Sequence, residues 1–278
     1  NVFGGAIANS GDNMILQNVT FNENTAKAIG ISPEPYISTA YGGAFYNDGF
    51  RLTLQQVSFN ENKAIANYGS ASGGGLSIND EKILTEIKNT TFTKNMVIGR
   101  NSFNGGGLNV GVKNIRLRNV QFIENSLRRS DSSGLDDNNG VNVNGAGMNC
   151  SAEIADLQDI KYYRNSIEVE YKNSGPMGGG LYINARSLRI KNADFVENSI
   201  LNSDSLIGGG VNGGGMAILT ENANLENILV KENTISKKGG AMFGGGIYID
   251  NYSDNGRPID FSQIFGNKLR IIGNKAIG

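Results

Sequence analysis

Histidine and tryptophan are missing from the 278 residues, cysteine occurs once and proline four times. Each absence closes off some chemistry. Without histidine there is no imidazole for general acid–base catalysis, nucleophile activation or metal ligation. The single thiol, Cys150, cannot close an internal disulfide, so the chain is not a disulfide-stapled module. It sits in an aliphatic column and is read as a small buried hydrophobe rather than a nucleophile. No run of about 18 apolar residues is present, which removes a membrane-spanning helix. The net charge is −1 and only 18% of residues are charged, so nothing attracts a polyanion and nucleic-acid binding is not expected. Hydrophobic residues still make up 38%, enough for a continuous core and too many for a disordered chain.

Glycine, by contrast, is abundant at 39 residues, and it marks a repeat. A glycine-rich pair or triplet followed by an apolar residue begins at Gly4, Gly42, Gly73, Gly105, Gly145, Gly178, Gly213 and Gly244. It alternates with an apolar residue, two variable residues and Asn, the Asn falling at Asn24, Asn62, Asn95, Asn125, Asn165, Asn198, Asn233 and Asn267. From first Gly to Asn the spacing is 20 residues in six of eight repeats, 22 in the third and 23 in the eighth. From Asn to the next Gly it ranges from 10 to 20. A fixed part and a variable part in each unit describe a solenoid whose insertions gather on one side.

Inside the fixed part the apolar period is two, which is a strand signature. After the glycines, the columns headed by Ile7 and Asn9 are predicted to point inward and the column between them outward. A second strand carries Phe21, Phe59, Phe92, Phe122, Tyr162, Phe195, Val230 and Ile264 inward, and a third follows the Asn. The prediction is an all-β, right-handed parallel β-helix of about eight coils, three short strands per coil, forming one domain over residues 1–278; the hand follows the rule for parallel crossovers. At roughly 4.8 Å per coil the rod is about 38 Å long. Repeats run to both termini, so the natural chain is expected to be a longer solenoid.

The motif Asn is read as a structural ladder at a turn, each amide bonding its copy one coil away. Asn18, Gln56, Asn89, Asn119, Asp159, Asn192 and Asn227 form a second polar column, also read as structural. Before the ladder Asn stand Glu23, Glu61, Lys94, Glu124, Arg164, Glu197, Glu232 and Gly266, a surface charge ladder that alternatively holds a cation between neighbouring glutamates.

Together, GGAI at Gly4 to Ile7 and FxxN at Phe21, Phe59, Phe92, Phe122 and Phe195 resemble the repeats of the chlamydial polymorphic membrane proteins. The resemblance spans the whole chain, although most glycine motifs here read GGG. It implies a pectin-lyase-like β-helical passenger, displayed outside the cell by a C-terminal membrane barrel and used in adhesion.

Enzymes on such a helix need carboxylates with Lys or Arg beside them. The outward column after the glycines holds neither acid nor base. Candidate ligand contacts are Tyr46, Tyr182 and Tyr248 on that column, which offer rings for sugar stacking, and Arg128, Arg129, Asp136 and Asp137 in the longest insertion. Sequons begin at Asn18, Asn89, Asn149 and Asn251, of which Asn251, in a loop, is the expected acceptor if the source is eukaryotic. The expectation is a non-catalytic extracellular or cell-surface scaffold or adhesin without cofactor or metal. Recognition of a host or neighbouring surface protein or glycan falls to the variable loops, 29–41 and 128–144 above all. The alternatives are a polysaccharide lyase or hydrolase, and a subunit assembling end to end or laterally with other β-helical segments.

Overall fold

The computed structural model describes residues 1–30, 38–129, 141–169, 175–203, 210–251 and 263–278. Among them every strand pair is parallel, each strand pairing with its counterpart one repeat away. The result is a parallel β-helix with one coil per glycine–asparagine repeat, wound with the right hand that parallel crossovers take.

Three sheets run along the rod. The longest follows the glycines and contains Leu76–Thr93, Leu108–Ile123, Met148–Tyr163, Leu181–Val196 and Met216–Lys231. The second follows the ladder Asn, from Thr25–Ala28 through Ser126–Arg129 to Lys275–Ile277. The third precedes the glycines, with Thr39–Tyr41, Ser70–Ser72, Ser102–Asn104 and Asn142–Asn144 at its centre. Two of these features differ from the expected strands. The two strands read on either side of the second polar column form one strand, bent at a left-handed residue: Asn89, Asn119, Asp159, Asn192 and Asn227 have φ of 50–57°. The sequence predicts no strand before the glycines, because that segment lies in the variable part, where no column repeats.

The last coil also differs. Its ladder residue is Asn274, whose side-chain oxygen accepts from the Asn233 amide at 2.8 Å, and not Asn267. Leu269 and Ile271 stand beside Ile228 and Val230, so Ile264 and Gly266 leave the columns assigned to them. An insertion after the glycines displaces the motif, and Ile264–Asn267 imitates it.

Inside, the phenyl column stacks as expected. Phe21, Phe59, Phe92, Phe122, Tyr162 and Phe195 lie ring on ring at 4.7–5.0 Å and within 8° of parallel. Each such contact adds about 0.5–1.5 kcal/mol to the burial of the ring. Beside the rings runs the Asn ladder, continuous over seven links from Asn24 to Asn274 at 2.8–3.0 Å. The Asn165 oxygen accepts from both the side-chain and backbone N–H of Asn125, and its own amide donates to Asn198 and to the Phe122 carbonyl. Buried amides satisfied in this way cost little to bury. The left-handed residue at this corner is the one before the Asn, from Glu23 to Glu232 and Gly273, so the Asn is selected by its bonding rather than by its backbone angle.

The glycines complete this waist. The first takes φ of 62–68°, and a Cβ on Gly145 would lie 1.9 Å from the Met148 carbonyl oxygen. A Cβ on Gly106 would lie 2.8–2.9 Å from the Ser126 backbone across the rod. The third glycine packs on the ladder: a Cβ on Gly215 would lie 3.0 Å from the Asn233 amide. On one side of this seam lies the larger apolar core, built on the long sheet; on the other lies a smaller one, between the two short sheets.

Candidate functional site

With the interior filled by repeating groups, chemistry is left to the outside. The predicted contacts come first. Tyr46, Tyr182 and Tyr248 do lie on the outer column of the long sheet, but that column is not an open face. The glycine turn folds the pre-glycine strand back towards it, and Ser77 and Ala217 in the same column are fully buried. Phe3, Tyr41 and Tyr46 cluster with ring centroids 4.8–6.2 Å apart. Burial raises the Tyr46 phenol, with Asp48 and Tyr41 adding to it, and burial alone raises Tyr182. Tyr248 donates to Asp250 at 2.8 Å, and that bond raises its phenol further than its partial burial does. The three tyrosines belong to separate coils of a half-buried seam, and none is brought beside another.

Arg128 is exposed on the post-asparagine sheet, 3.4 Å from Glu168, and Arg129 stands next to it facing the other way. Asp136 and Asp137 lie outside the described residues, as do most of the 128–144 loop and residues 31–37 of the other. The charge ladder is present: Arg164 reaches Glu197 at 2.8 Å and Glu124 at 3.6 Å. Among the described residues no three acids or thiols converge as a metal site would require. Cys150 is fully buried, and desolvation pushes its thiol up to about 12. Of the sequon residues, Asn149 is half-buried and donates to Asn109 at 2.7 Å.

A pocket that the sequence reading did not single out lies at the bend of the long sheet. Its volume is about 330 Å³, at the small end of the range for ligand sites. One wall is the bend itself, with Asn119, Asp159, Asn192 and Asn227; the other is the outward row after the bend, with Lys161, Asp194, Leu229 and Arg270. Left-handed φ at the bend turns the chain sharply and presents these polar side chains to solvent. Asn192 donates to Asp159 at 2.9 Å and Asn227 to Asn192 at 3.0 Å, while one Asp159 carboxylate oxygen has no partner in that pair of bonds. Lys161 and Asp194 are register partners on adjacent coils, and Leu229 and Arg270 follow in the same row. Tyr163 flanks the row; burial, then Asp194 and Glu197, raise its phenol. Two carboxylates and two cations in one shallow cleft can accept from and donate to the same ligand. The sequence signal for this site was the single acid, Asp159, in a column of amides.

No protein-family model, no curated protein and no solved structure matches the chain.

Proposed function

We propose that this chain is a non-catalytic, extracellular or cell-surface scaffold, an adhesin passenger or spacer that holds recognition groups along a stiff axis. The observation that carries the reading is the unbroken interior: seven amide-to-amide links and five ring stacks in succession, while the outer side chains change from coil to coil. A fold that repeats inside and varies outside suits display. The motif resemblance to surface-displayed passengers supports the location, and a host or neighbouring surface protein or a glycan is the partner class. Binding in the 128–144 loop is part of the same reading.

The alternative, a polysaccharide lyase or hydrolase, gains from Asp159 and Asp194 sharing a pocket with Lys161 and Arg270. Product release separates the two. Folded protein is incubated with polyuronates and neutral glycans, and new reducing ends and unsaturated products are read. The scaffold reading expects none; sustained turnover overturns it and points to the two aspartates.

A further inference from the structure

We propose, resting on the scaffold reading, that the pocket at the bend is a glycan subsite: it takes a neutral, polyhydroxylated chain lying along the rod axis. Charge balance argues first. Asp159 and Asp194 offset Lys161 and Arg270, so neither a polyanion nor a polycation is favoured along the whole cleft. The groups alternate between acceptor and donor. A hydroxyl is both, and one ligand carrying many hydroxyls satisfies carboxylate, ammonium, guanidinium and amide without gaining charge. Leu229 interrupts the charged row with an apolar patch suited to the C–H face of a sugar ring.

Shape argues in the same direction. From Asn119 to Arg270 the lining residues span five successive coils, so the cleft extends about 19 Å along the rod. Its polar groups recur at the coil spacing, which suits a linear ligand with a repeating unit. An extended peptide is recognised mainly through an open sheet edge. Here the row Lys161, Asp194 and Leu229 lies on a sheet face, in strands that pair with a neighbouring coil on both sides. A glycan, read through side chains alone, needs no free edge.

The test is calorimetric titration of the chain with chitohexaose, cellohexaose, hexagalacturonate and an uncharged extended peptide, with folding of each variant checked by circular dichroism. A neutral hexasaccharide is expected to bind, and the hexauronate to bind more weakly. Asp194→Ala and Asp159→Asn should each weaken the neutral ligand about tenfold or more, the scale of a lost hydrogen bond to a charged group. Lys63→Ala, exposed on the post-asparagine sheet away from the cleft, should change it by less than about twofold. Failure of both neutral hexasaccharides to bind, tighter binding of the peptide, or binding that survives Asp194→Ala overturns the assignment. If binding is instead lost in Arg128→Ala or Tyr182→Ala, the pocket is wrong and the scaffold reading stands. Cleavage of a bound oligosaccharide leaves the pocket in place and overturns the scaffold reading.

Discussion

Inside the rod, asparagine occupies one corner in all eight coils, from Asn24 to Asn274. On the outer bend the equivalent row reads Asn18, Gln56, Asn89, Asn119, Asp159, Asn192, Asn227 and Lys268. Both rows include side-chain links between coils, at 2.8–3.0 Å inside and 2.9–3.0 Å at the bend. The difference lies in what else holds the residue. The interior Asn is buried and must place two donors and an acceptor with no water to help, and no other side chain has that geometry. The outer residues are largely exposed and share only a left-handed φ, which water and an open surface let Gln, Asp and Lys adopt. Burial therefore fixes identity, while exposure fixes only backbone shape and leaves the side chain free for recognition.

The largest effect should come from breaking the interior row. Asn165→Leu strands the Asn125 amide and backbone N–H together with the Phe122 carbonyl, and is expected to cost about 3–5 kcal/mol in urea unfolding. Asn192→Gly keeps the left-handed angle at the bend and removes only exposed bonds, so it should cost less than about 1 kcal/mol. Equal losses would collapse the distinction.

The same φ separates the two regions again. At the bend a Cβ is tolerated at φ near 53°, whereas at Gly145, with φ of 64°, it meets the Met148 carbonyl. Gly145→Ala should destabilise by about 2 kcal/mol or more, or fail to fold, while Asn119→Ala stays near 1 kcal/mol by thermal melting. A smaller consequence is chemical. With its thiol pushed up to about 12, Cys150 should resist iodoacetamide at pH 8 in the folded protein and label only after denaturation. Rapid labelling of the native chain would show that the core is open.

Least in size is the pH response of the outer charges. Burial pushes Glu86 up, but Lys88 and Arg116, each 3.3 Å away, outweigh it and hold the carboxyl below its ordinary value. A depressed folded pKa stabilises above the unfolded value, about 4.3, and that contribution is lost as pH falls through the folded one. Glu86→Gln should therefore flatten the acid side of the stability profile below about pH 4.5, by well under 1 kcal/mol for so exposed a group. An unchanged profile would mean that these pairs carry no energetic weight.

Much of the fold was legible because each coil repeats the same inward period, and the ladder Asn and the ring column keep constant places in it. What escaped was whatever the repeat does not carry. The pre-glycine strand lies where insertions blur the period. The repeat spacing points to Asn267, and the ladder residue is Asn274, because an insertion falls in the part of the coil that is fixed elsewhere. The site was less legible. Tyr182 lies on the column that the repeat assigns to it, yet the turn at Gly178 and the half-burial of that column are tertiary events. Asp159 was grouped with the amides around it; only the bend shows that Asp194 and Arg270, far apart in sequence, line the same cleft.

Native-state hydrogen exchange tests the central claim most directly, residue by residue in one unmodified chain. The backbone N–H groups of Asn95, Asn125 and Asn165 donate to ladder oxygens at 3.0–3.1 Å. They are predicted to exchange only through global opening, with rates that rise steeply with denaturant, while the exposed side-chain amides of Asn119 and Asn227 exchange fast and independently of it. Ladder amides that exchange as fast as the outer ones, indifferent to denaturant, would contradict the account.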